Sequence, residues 1–134
     1  MDTIRLSFEI SGLFAGCAKI EGIAVATPEM LTLEYRVSDT IIGAWSGEIV
    51  TRKIPWSDID RAECGTGFFS PWLRLSARTL TVFDKLPSSS PGQLRLRIPW
   101  KQRRRLRALT SEINLLLSYN EADRYRQHLP GSTT

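Results

Sequence analysis

The chain has 134 residues, with 42% apolar and 24% charged side chains, which is the composition of one globular domain and excludes a disordered or low-complexity chain. No apolar run approaches the roughly 20 residues needed to span a bilayer, and two cysteines, Cys17 and Cys64, exclude both a disulfide framework and a cysteine-rich zinc site. Net charge is +4, but residues 1–60 carry 5 basic and 9 acidic side chains, net −4, while residues 61–134 carry 13 and 5, net +8.

Residues 3–10 alternate: Ile4, Leu6, Phe8 and Ile10 against Arg5, Ser7 and Glu9. Period two over such a stretch predicts a half-buried strand. Ser11-Gly12 and Gly16 punctuate the next segment. A second strand is expected over 18–26, where the apolar phase slips at Gly22 as at a β-bulge. Thr27-Pro28-Glu29 reads as a turn. Leu31, Leu33, Tyr35 and Val37 then alternate with Thr32, Glu34 and Arg36, the clearest strand pattern of all. A glycine-bearing loop holds the apolar Ile41, Ile42 and Trp45, and 49–54 forms a further strand closed by Pro55. Ser57-Asp58-Ile59-Asp60 opens a short strand toward Cys64, ended by Gly65 and Gly67. Leu73 and Leu75 start another, with Leu80, Val82 and Phe83 either continuing it or returning as a hairpin. After the loop Ser88-Ser89-Ser90-Pro91-Gly92, Leu94, Leu96 and Ile98 alternate with Arg95 and Arg97.

The period then changes. Leu106, Leu109, Ile113, Leu116 and Leu117 recur at steps of three and four, one face of a helix over 99–120 with Pro99 in its first turn. Residues 121–134 are expected to fray, leaving one domain over 1–120. The links between strands are too short for crossover helices, so the sheet must be antiparallel. The expected class is mainly β (β+α): a bent antiparallel sheet or partly open barrel of about seven strands with one C-terminal amphipathic helix.

The element order resembles the pleckstrin-homology-like (PH-like) superfold, in the form of small bacterial proteins. The residues that carry the likeness are Leu31-Thr32-Leu33-Glu34-Tyr35, Ile54-Pro55-Trp56-Ser57-Asp58-Ile59, and Leu94-Arg95-Leu96-Arg97-Ile98 before the helix. The resemblance implies a module that binds lipids, peptides or partner domains, and fold alone does not choose among them. Members that bind phosphoinositides cluster Lys and Arg around the first loop. Here that loop is followed by Lys19 alone.

Candidate chemistry concentrates in 95–107, where Arg95, Arg97, Lys101, Arg103, Arg104, Arg105 and Arg107 occur without an acid among them. Cations in a first helical turn oppose the macrodipole, so the segment is either a site for phosphate, anionic lipid or an acidic partner or a solvated basic face paired with acids of the net −4 half. Phe68, Phe69 and Trp72 form a possible apolar contact beside it. Asp58 and Asp60 lie two apart, which on a strand is one face. The lone histidine is His128, in the expected tail, so no Ser-His-Asp or Cys-His set has a natural member in the core. No phosphate-loop motif is present, and no metal or small-molecule cofactor is implied.

These features favour a non-catalytic binding module over an enzyme. The expected partner is a protein or a second copy of the chain. An anionic membrane surface is the alternative, and nucleic acid fits less well because no outward aromatic separates Arg95 from Arg97. The start Met1-Asp2-Thr3-Ile4-Arg5 lacks a signal-peptide layout, so a cytoplasmic setting is expected.

Overall fold

A computed structural model describes residues 3–13, 18–39, 45–66, 70–84, 86 and 91–127. Among the described residues seven strands run in chain order: β1 (Ile4–Leu13), β2 (Ala18–Ala26), β3 (Met30–Asp39), β4 (Trp45–Pro55), β5 (Ile59–Thr66), β6 (Pro71–Ala77) and β7 (Gln93–Arg97). Helix α1 (Arg103–Gln127) comes after them. All pairings are antiparallel, and the order is β4-β3-β2-β1-β7-β6-β5 in one open sheet. Edge strands β4 and β5 do not pair with each other, so the barrel is not closed.

Alternation decides which side of each strand is buried. Leu6, Phe8 and Ile10 of β1, Leu31, Leu33 and Tyr35 of β3, Leu73 and Leu75 of β6, and Leu94 and Leu96 of β7 all point into one core. The helix supplies Leu106, Leu109, Ile113 and Leu117 to the same core, with Leu116 partly buried beside them. It packs chiefly on β5. The gap among Phe8, Ile20, Leu33, Tyr35, Leu86 and Leu96 is about 10 Å³, the lower limit for one water. Side chains fill the described interior.

The first and last strands meet at a narrow seam. β1 and β7 share one register pair, Glu9 with Arg97. Beyond it the free edge of β1 is met by the start of the helix instead. Ser7 N–H donates to Gln102 Oε1 at 2.8 Å, and Arg105 Nη1 donates to the carbonyl of Arg5 at 3.2 Å. These bonds satisfy backbone groups that would otherwise lack partners at the seam.

Several sequence expectations need correction. No bulge occurs at Gly22, because the β1–β2 register runs through it with Phe8 opposite Gly22 and Ser7 opposite Ile23. The irregularity lies between Ile10 and Leu13. Residues 80–83 form a turn rather than a strand. Its bonds are local, Asp84 N–H to the Thr81 carbonyl at 3.1 Å and Leu86 N–H to that of Phe83 at 3.1 Å. Arg52 of β4 clamps it, donating to the carbonyls of Val82 at 2.6 Å and Asp84 at 2.8 Å. Phe83 and Leu86 are buried as a plug.

Trp56–Asp58 is a 3-10 turn, so Asp58 precedes β5 and does not share a strand face with Asp60. Trp56 is 2% exposed and its indole N–H donates to the Thr27 carbonyl at 2.6 Å. The helix begins with a 3-10 turn at Trp100–Gln102 capped by Pro99. It then continues through Gln127, past the expected end at 120. Arg124 and Arg126 in its last turn complement the macrodipole, and Arg124 reaches the Ser57 carbonyl at 3.4 Å. β4 starts at Trp45 rather than 49. Expectations on Cys17, Ile41, Ile42, Phe68, Phe69 and His128 fall outside the described residues. Cys64 is a half-buried free thiol packed against the core.

Candidate functional site

Polar positions of the alternating strands face outward, and the register sets them in rows across the sheet. One row runs Gly65, Trp72, Arg97, Glu9, Glu21, Arg36 from β5 to β3. The next runs Glu63, Arg74, Arg95 across β5, β6 and β7. Trp72 and Arg74 are outward because Leu73 and Leu75, which alternate with them, are fully buried.

The indole of Trp72 organises the second half of this surface. Arg95 lies over it with its guanidinium carbon 5.1 Å from the ring centroid, and Arg74 at 5.7 Å, within cation–π range. Gly65 makes room for the ring: a Cβ there would stand 2.5 Å from Trp72 Cζ2 and 2.6 Å from Cε2. Arg74 is held by Glu63, Nη2 to Oε2 at 2.6 Å, and Arg61 Nε approaches Glu63 Oε1 at 3.4 Å. Arg95 and Arg97 make no ion pair with a described carboxylate. Together with Ser70, Pro71, Trp72, Glu9 and Ile10 they line a depression of about 220 Å³.

The basic segment divides by partner. Arg95 and Arg97 belong to this sheet surface. At the helix start Lys101 and Arg104 are exposed. Arg103 stacks on Trp100 at 4.6 Å and donates to its carbonyl at 3.1 Å. Arg105 holds the Arg5 carbonyl, and Arg107 donates to Thr66 Oγ1 at 3.3 Å. Three of the helix-start cations thus have hydrogen-bond partners that sequence alone does not reveal.

A larger depression, about 540 Å³, lies on the outer side of β1, β2 and β3. Its lining includes Glu9, Glu21, Glu34, Arg36, Ile23, Ile49 and Pro99. Ile23 and Ile49 are 44% and 67% exposed, and Trp100, next to Pro99, is 55% exposed. Lys19 pairs with Glu21 at 2.9 Å. That bond, the Glu21 charge and then Glu9 hold the Lys19 ammonium pKa above its ordinary value.

Sequence reading places Trp72 beside the basic segment as an apolar contact but misses its stacking with Arg95, since that contact runs between adjacent strands. The period-two placement of Trp72 and Arg74 around Leu73 is the available signal. No group of three or more His, Cys, Asp and Glu side chains among the described residues is placed to hold a metal ion, and no described helix is long and apolar enough to cross a membrane. Comparison with family models, curated proteins and solved structures finds no match.

Proposed function

We propose that the chain is a non-catalytic binding module of the PH-like kind found in small bacterial proteins, acting in the cytoplasm by protein–protein contact, with a second copy as the first partner to test. The observation that carries this reading is the exposed Trp100, stacked by the half-buried Arg103, at the Pro99 rim of a depression with Ile23 and Ile49 exposed. Trp and Arg dominate interface hot spots because they bury much area with few rotors and a planar fork. Large apolar side chains grouped on a surface mark contact sites more often than scattered ones do. Lys101, Arg103 and Arg104 on one copy would oppose Glu9, Glu21 and Glu34 on another, with Arg36 tempering the acidic side.

Sedimentation velocity over a concentration series tests this. The expected result is reversible association, lost in the Trp100→Ala, Arg103→Ala double variant while its circular dichroism is unchanged. A chain that stays monomeric at every concentration rules out self-association through this face. Association that the double variant leaves intact places the contact elsewhere.

A further inference from the structure

The Trp72 cluster violates two rules of sheet electrostatics. Arg74 and Arg95 are directly opposite in the β6–β7 register, where like charges destabilise. Arg95 and Arg97 sit two residues apart on one face of β7, about 7 Å along the strand. One carboxylate, Glu63, serves this group, and it is taken by Arg74 and Arg61. Arg74 Nε is buried without a hydrogen-bond partner. Glu9 is opposite Arg97 in register but forms no ion pair with it. Glu63 offsets Arg74, but the charges of Arg95 and Arg97 meet no described carboxylate in an ion pair, and that unoffset charge points to a missing group.

We propose that Arg95 and Arg97, steadied by Trp72, form a binding site for a phosphate monoester. The geometry discriminates between anions. Two guanidinium forks about 7 Å apart can each present a pair of N–H donors to a group between them. A tetrahedral phosphate with three free oxygens can meet both forks, whereas a carboxylate has two oxygens and saturates one. Stacking on Trp72 holds the Arg95 fork in place before the ligand arrives, which lowers the ordering cost of binding. The depression of about 220 Å³ exposes Ser70 as a neutral neighbour for the remaining oxygen. This site uses none of the residues of the Trp100 contact surface except Glu9 at its border, so either proposal can fail alone.

Isothermal titration of the full chain tests it, with inorganic phosphate, glycerol phosphate and acetate as probes. Saturable one-to-one binding of both phosphates is expected, with acetate much weaker. Arg95→Gln and Arg97→Gln should each weaken phosphate binding about tenfold or more, and Arg97→Lys should also weaken it, since charge survives but the fork does not. Arg126→Gln, exposed in the last turn of α1 and outside both surfaces, should leave it unchanged. Thermal unfolding of each variant checks that the fold is intact. Vesicles of phosphatidylcholine with and without phosphatidic acid separate the sources. Co-sedimentation competed by glycerol phosphate marks a lipid headgroup, and binding of the free ester without vesicle binding marks a soluble one. Either result supports the site. Absence of phosphate binding, equal binding of acetate and phosphate, or unchanged affinity in both Gln variants overturns it.

Discussion

Gly22 stands where the inward row of β2 (Ile20, Gly22, Ala24, Ala26) passes beneath Phe8 and Tyr35. A Cβ at Gly22 would meet the Glu34 carbonyl oxygen, and would lie 2.7 Å from Phe8 Cζ and 2.7 Å from Tyr35 Cβ. Backbone on one side and two aromatic residues on the other leave nothing flexible to yield. Gly22→Ala should therefore destabilise the fold by about 1–3 kcal/mol, read as a lower urea midpoint at constant slope. Ile23→Thr, on the exposed side, should stay within about 0.5 kcal/mol. The sequence pattern suggests a bulge at Gly22 because Ile20 and Ile23 cannot share a strand face. The pairing partners settle it: Ile23 is opposite Ser7 and Glu34 and must point outward. A glycine followed by an exposed isoleucine imitates a phase slip, and only the neighbouring strands distinguish the two.

Among the elements, β5 is an edge strand with a helix standing in for a missing neighbour. Asn114 of α1 donates from Nδ2 to the Ala62 carbonyl at 3.0 Å and accepts from Ala62 N–H at 3.3 Å. Its amide thus copies one residue of strand pairing, and covering an edge in this way also blocks edge-to-edge association. Asn114→Ala should cost about 1–3 kcal/mol, since both Ala62 backbone groups lose their partner, and amide exchange at Ala62 should accelerate. The helix itself is legible from its leucine period, as are the strands with clean alternation at 31–37 and 94–98. Its C-terminal extension is not, because 121–127 add polar and exposed residues with no apolar period. The turn at 80–83 escapes for the opposite reason. Leu80, Val82 and Phe83 have the content of a strand, yet Leu80 is 68% exposed and Phe83 1%. The Arg52 clamp that fixes them comes from a residue remote in sequence.

For the whole molecule, the antiparallel class follows from short connections, and the seam between β1 and β7 does not. That seam joins the first strand to the last, and a pairing so distant in sequence leaves no local trace. The core so formed couples stability to pH through Tyr35. Its burial raises the phenol pKa above the ordinary value of about 10, with the nearby Arg52 charge opposing. The folded state therefore favours neutral Tyr35. Its contribution is intact below the unfolded value and is lost as pH rises through the folded one. Denaturant midpoints of the natural chain should fall at alkaline pH, and those of Tyr35→Phe should fall less. Lys19, raised in the same direction, is present in both proteins and leaves the difference to Tyr35. An identical alkaline decline in the two would contradict this assignment.

Every described strand precedes α1 in the chain, and α1 covers β5 and contributes four fully packed residues to the common core. During synthesis the strands therefore leave the ribosome before their lid exists. For the interval needed to make the helix, on the order of seconds, Ile59, Leu73 and Leu75 face solvent and the β5 edge lacks Asn114. A nascent chain arrested with β7 outside the ribosome and α1 still inside it is thus a ready client for a chaperone that holds extended apolar segments. Release of that client should coincide with emergence of Leu117 rather than with completion of the sheet.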